Sequence, residues 1–167
     1  SDRLALYRFV PGRRLEAAEV DESRVVEADA FCRELFRLQQ LPEARRFLPA
    51  SEACFSMGEH IECVDRRLAR LRSIPPESAV HRDVLGFVGD EVGPCWDAVC
   101  RTVRKAAAAM GETTARVLSP SDFGFHNAVL TASGRLCFFD FEYAGWDDPA
   151  KLVCDFFCQV EIPAPRR

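Results

Sequence analysis

The sequence predicts an α+β protein that is mainly α, a helical body with one small β-hairpin set into it. Three observations carry this reading. Apolar residues recur at intervals of three and four in five segments, two short apolar runs flank a Ser133-Gly134 turn, and the breaks between segments fall on proline and glycine. The chain has 167 residues, of which 48% are hydrophobic and 29% charged, so one domain can bury a sizeable core. Net charge is −4, so no bulk positive field exists to displace counterions from a nucleic acid. No apolar run reaches the roughly 18 residues that a membrane span needs. The expected setting is cytoplasmic, with neither nucleic acid nor membrane as partner.

Taken in order, Leu4 to Val10 is apolar and aromatic and meets Pro11-Gly12, which predicts a strand running into a turn. From Asp21 to Gln40, Val25, Ala28, Cys32 and Leu35 mark a helix capped by Asp21 or Ser23. Pro42 and Pro49 interrupt the next stretch, a connection with one short turn. Ile61, Val64, Leu68 and Leu71 stripe a second helix that Pro75-Pro76 ends, with Glu62 and Arg66 in the favourable i,i+4 order. A third helix runs from about Glu77 to Asp90. Gly93-Pro94 breaks it from a fourth, which carries Trp96, Val99, Cys100, Val103 and Met110 on one side and stops at Gly111. Asn127 to Thr131 and Arg135 to Asp140 then form a hairpin with Gly134 in its turn. Asp148-Pro149 opens the last helix, with Leu152, Val153, Phe156, Phe157 and Val160 facing inward.

The eight cysteines include no C-x-x-C pair, and only His60, His81 and His126 could supplement them. Zinc ligands usually come in close pairs, so the cysteines read as small buried hydrophobes in a reducing compartment. His81-Arg82-Asp83 imitates a kinase H-R-D, but Val88 stands five residues after Asp83 where an Asn is needed, and the triplet has a helical period. Ser119 and Ser121 lack the G-x-S-x-G setting of a nucleophile elbow. Phe123 and Phe125 read as packing residues.

Two stretches hold polar residues that packing does not require: Leu118 to Asn127, and Phe138 to Pro149. The hairpin between them brings Asp122 and Asn127 to one side of a small space and Asp140 to the other. An Asp, an Asn five residues on, and a second Asp thirteen residues later across a hairpin suit phosphoryl transfer. The first Asp takes the proton of an acceptor hydroxyl, while the Asn and the second Asp hold magnesium against nucleotide phosphates. One amide oxygen and one carboxylate are a sufficient protein share for an ion that keeps several waters.

These stretches resemble the catalytic loop and metal motif of the aminoglycoside phosphotransferase and choline kinase superfamily, relatives of the protein kinases. The resemblance implies the C-terminal lobe of a protein-kinase-like fold, whose hairpin carries the catalytic and metal motifs. Asp122 matches the catalytic Asp, Asn127 and Asp140 match the metal-binding pair, and Gly145-Trp146-Asp147-Asp148-Pro149 is similar to the family's G-W-x-D-P segment. Tyr7 to Gly12 resembles the strand and turn joining the two lobes, making residues 1–12 the expected hinge. Implied with these are ATP as co-substrate, magnesium, and a small polar molecule whose hydroxyl receives the γ-phosphoryl group.

The departures are specific. Pro120 and Ser121 stand where the family has His-Gly, and the missing His is generally a brace for the loop. His126 precedes the metal Asn where a small residue is usual; it reaches a phosphate or substrate, or it packs or faces solvent. Glu142 either touches the ion or forms a structural salt bridge. No G-x-G-x-x-G occurs, and the lysines Lys105 and Lys151 are not placed like the phosphate-pairing strand Lys. The chain is therefore expected to be a catalytic lobe truncated at both ends, without its N-terminal nucleotide lobe. Such a fragment is expected to be inactive alone and prone to self-association. The alternative is a catalytically dead kinase-like binding or scaffold protein, motivated by the same departures.

Overall fold

The computed structural model describes residues 8–110 and 115–165. The expected strand residues Leu4–Tyr7 and the expected cap Gly111 lie outside them. The chain divides into two compact units, one formed by residues up to Ala53 with those from Arg116 onward, the other by Cys54–Ala115.

The first unit is mixed α and β. Helix α1 (Glu22–Leu38) starts where Asp21 accepts a hydrogen bond from the Arg24 N–H, the expected cap. Strands β1 (Gly12–Arg14), β3 (Ala128–Thr131) and β4 (Leu136–Phe138) form an antiparallel sheet in the order β1-β3-β4. Strand β1 begins at the Pro-Gly expected to be a turn, and Arg8–Pro11 carries no strand. Gly12 pairs with Thr131, and a Cβ there would lie 2.9 Å from the Leu130 carbonyl oxygen, so a glycine is what lets the two backbones approach. The β3–β4 hairpin turns through Gly134 at φ 78°. Helix α1 holds that turn: Arg24 donates to the Gly134 carbonyl at 2.8 Å, and Glu27 accepts from the Leu136 N–H at 2.8 Å.

A second sheet, β2 (Val117–Ser119) against β5 (Gly145–Asp147), has no periodic signature in the sequence. Each strand is three residues long, too short for alternation to register. Residues 48–50 run beside β5, with Trp146 donating to the Leu48 carbonyl and accepting from Ala50 N–H. A Cβ at Gly145 would lie 2.3 Å from the Leu48 oxygen, so this contact depends on glycine.

Helix α5 (Pro149–Cys158) opens as expected, with Asp148 accepting from the Ala150 and Lys151 N–H groups. Leu152 and Phe156 are buried. Val153 and Val160, expected to face inward, are exposed, and Val160 lies beyond the helix end. The core joins Leu15, Ala28, Phe123, Phe125, Phe138 and Phe156, with a chain of aromatic contacts from Phe31 through Phe123 to Phe156 and Phe125.

The second unit is helical: α2 (Met57–Arg72), capped by Ser56; α3 (Ala79–Phe87), capped by Ser78; and α4 (Gly93–Met110). Gly93-Pro94 does not break the chain as expected. A π-helical turn, Val88–Val92, joins α3 to α4, and the Gly93 N–H reaches back five residues to the Val88 carbonyl. Pro94 has no N–H to donate, and the π turn just before it carries the helix past that missing bond. Trp96 on α4 donates to Asp65 on α2 at 2.7 Å. No helix among the described residues is long and apolar enough to cross a membrane.

None of the eight cysteines is in a disulfide. Cys54 and Cys100 are buried hydrophobes as expected, but Cys95, Cys154 and Cys158 are exposed, which corrects the expectation for those three.

Candidate active site

Strand β2 delivers the chain into Pro120-Ser121-Asp122. Ser121 sits in the left-handed region at φ 72°, a conformation L-residues adopt at a cost. Two bonds hold it there: its N–H donates to the buried Ser119 hydroxyl at 3.0 Å, and its own hydroxyl donates to the Ser51 carbonyl at 3.1 Å. Phe123 and Phe125 then anchor the loop in the core, 4% and 1% exposed, while the Asp122 side chain remains 61% exposed. Packing residues alternate with polar ones, so the loop is fixed by its rings and presents its carboxylate outward.

A short 3₁₀ turn, Phe125–Asn127, brings the next polar residues back to Asp122. Asn127 Nδ2 donates to the Asp122 carbonyl at 2.9 Å and to Asp122 Oδ2 at 3.2 Å. Its amide nitrogen is thereby committed to Asp122, and Oδ1 is the atom it can offer a cation. His126 is buried, with Nε2 3.2 Å from Asp122 Oδ1. The His126 ring is therefore packed, not solvent-facing, and it touches the site.

The hairpin register sets Ala128 opposite Phe138, and the Phe139 N–H donates to the Asn127 carbonyl at 3.0 Å. Asp140 follows directly, exposed and left-handed at φ 65°. Asp is among the residues that tolerate this region best, and backbone strain of this kind collects at functional sites. The Glu142 carboxylate accepts the Tyr143 hydroxyl. That bond, with the negative charges of Glu142, Asp140 and Asp122, raises the Tyr143 phenol above its ordinary value. One hydroxyl thus feels all three carboxylates.

Among the described residues, no group of three or more His, Cys, Asp or Glu side chains is arranged to hold a metal ion. Asn127 Oδ1 and the Asp140 carboxylate, the pair expected from the sequence, are both hard oxygens. That set suits a magnesium ion, which fills most of its sphere with water and phosphate and takes only one or two protein oxygens.

The sequence reading gave Asp147 and Lys151 no role in the site and did not name Asp155, yet the three form one network across β5 and α5. Asp147 is fully buried; Lys151 Nζ lies 3.0 Å from its Oδ2 and 2.7 Å from Asp155 Oδ2. Burial alone would lower the Lys151 ammonium, but Asp155 and Asp147 outweigh it and raise it. Burial lifts the Asp155 carboxyl against the pull of Lys151, and Asp147 and Asp122 push the same way. The i,i+4 spacing of Asp147, Lys151 and Asp155 was visible in the sequence as a signal for this network.

A cavity of about 440 Å³ opens beside the loop, walled by Leu35, Leu38, Phe47 and Leu118. It shares Ser119, Pro120 and Phe141 with the two polar stretches but contains none of Asp122, Asn127 or Asp140. It flanks the polar cluster and does not hold it. His81-Arg82-Asp83 lies in the first turns of α3, where His81 Nδ1 is 2.9 Å from the Pro75 carbonyl and Arg82 bonds that of Pro76.

The sequence model of the phosphotransferase enzyme family matches residues 1–158. No curated protein and no solved structure matches the chain.

Proposed function

Because the chain belongs to the phosphotransferase enzyme family, we propose that it serves the ATP-dependent transfer of a γ-phosphoryl group to a hydroxyl of a small polar molecule. The observation that carries this reading is the single-carboxylate geometry at Asp122. The side chain is exposed, yet Asn127 ties down its Oδ2 and its own carbonyl. A carboxylate held in one orientation at a surface suits a group that must meet an incoming hydroxyl.

In the proposed reaction Asp122 takes the hydroxyl proton as the acceptor oxygen forms its bond to the γ-phosphorus. The bond from that phosphorus to the β–γ bridging oxygen breaks, and ADP leaves with the electron pair. Magnesium, when bound, would neutralise phosphate charge; Asn127 Oδ1 and the Asp140 carboxylate are the residues that would hold it. Asn127 would then have two tasks on two atoms: its nitrogen orients the base, and its oxygen would help hold the ion.

The test is kinetic. Asp122→Asn in the intact enzyme is expected to lower turnover about 10²–10⁴-fold, the usual worth of a positioned acid–base group. Magnesium–ATP affinity, measured by calorimetry, should stay nearly unchanged. Asp83→Asn, on α3, should keep its turnover. Wild-type turnover in Asp122→Asn, with loss of activity in a folded Asp83→Asn, would transfer the catalytic role to the H-R-D triplet.

A further inference from the structure

We propose that His126 is a positioning residue that, with Asn127, clamps the two oxygens of the Asp122 carboxylate and so stands in for the brace the loop lacks at Pro120. The inference rests on the reading of Asp122 as the catalytic base. Its geometry is specific: His126 Nε2 faces Oδ1 at 3.2 Å while Asn127 Nδ2 faces Oδ2 at 3.2 Å. Two consecutive residues of one 3₁₀ turn therefore hold the two oxygens of one side chain. The Asp122 side chain is 61% exposed, so burial does not fix its rotamer and these two contacts do.

The histidine is itself well held, which a brace requires. Its side chain is only 10% exposed. Gly124 makes the room: a Cβ there would fall 2.7 Å from Nδ1 and 2.9 Å from Cε1 of the ring. Here the glycine serves close packing, since its backbone is fully extended. Nδ1 is buried with no hydrogen-bond partner among the described residues. A carboxylate oxygen 3.2 Å from Nε2 favours a ring that carries a proton on that nitrogen. An unsatisfied buried nitrogen has a cost, and the contact with Asp122 is what the ring gains at that position.

Two measurements test this. In the wild-type chain, long-range ¹H–¹⁵N correlation spectra of His126 should show the proton on Nε2, with a shift that changes in Asp122→Ala. A ring protonated on Nδ1 alone would overturn the proposal, and this readout does not depend on catalysis. In kinetics with magnesium–ATP as probe and water as acceptor, His126→Phe keeps the ring volume and removes the donor. ADP release should fall about tenfold in kcat, with KM for magnesium–ATP within about twofold. His126→Gln restores an N–H donor and should recover most of the loss. His126→Phe added to Asp122→Asn should cost nothing further, because the brace acts only through that carboxylate. Wild-type kcat in a folded His126→Phe beside an impaired Asp122→Asn overturns the positioning role alone. Wild-type kcat in Asp122→Asn overturns the catalytic reading itself, and the positioning role with it. Should His126→Phe fail to fold, the tautomer in the wild type decides.

Discussion

Ser121 and Cys32 show how far one side chain's surroundings override what its type suggests. Ser121 occupies a left-handed position where glycine would be free of strain, and two hydrogen bonds through Ser119 and Ser51 hold it there. The loop thus keeps its course without the His-Gly pair that usually supports it. Cys32 is half-buried on α1, and burial with the nearby Asp29 charge pushes its thiol up to about 11. The nucleophile is the thiolate, so at pH 8 only about one molecule in a thousand is reactive at Cys32. Alkylation by iodoacetamide, followed by peptide mass spectrometry, should find Cys32 far slower than the exposed Cys95. Its rate should still climb about tenfold per unit between pH 8 and 10. A rate that levels off below pH 9 would show that the thiol is not held in its protonated form by burial.

At the level of elements, α5 depends on a single side chain for its start. Asp148 accepts from the Ala150 N–H at 2.6 Å and from the Lys151 N–H at 3.3 Å. Asp148→Ala leaves those donors without a side-chain acceptor and removes a negative charge from the helix N-terminus. It should destabilise the protein by about 1–2 kcal/mol, read as a lower urea midpoint with an unchanged slope. An unchanged midpoint would mean that Pro149 alone suffices to start the helix. This cap was readable from Asp-Pro, as were the Asp21 cap and the Gly134 turn, because each is set by neighbours within four residues. The β2–β5 sheet was not, since it exists through pairing between residues nearly thirty positions apart and through the close approach at Gly145. The π turn before Gly93-Pro94 was hidden for a related reason: a proline breaks a helix only where its missing N–H matters. In the site, the D-x-x-x-x-N spacing announced the Asp122–Asn127 contact. The His126 contact had no sequence signature, because it depends on Phe123 and Phe125 burying the loop and on the room at Gly124.

On the scale of the whole molecule, the five candidate residues Asp122, His126, Asn127, Asp140 and Glu142 all belong to the first compact unit, and the H-R-D triplet belongs to the second. A phosphotransferase and a catalytically dead scaffold built on the same fold differ in how nucleotide binding depends on magnesium. A ligand that binds only the folded state stabilises it by mass action, about 2.7 kcal/mol at a hundred times its Kd. For a chain of this length that corresponds to a rise in Tm of about 5–10 °C. If Asp140 holds the ion that neutralises the phosphates, ATP should raise the Tm of the intact enzyme much more with magnesium than with a chelator present. Asp140→Asn should remove most of that difference, since an amide offers an oxygen of similar shape without the charge that attracts a divalent cation. Asp122→Asn should leave the magnesium-dependent rise in place, because its proposed task is the proton of the acceptor. An equal rise with and without magnesium in the wild type would favour the scaffold reading. The same outcome in Asp140→Asn as in the wild type would remove Asp140 from the metal site even if turnover survives.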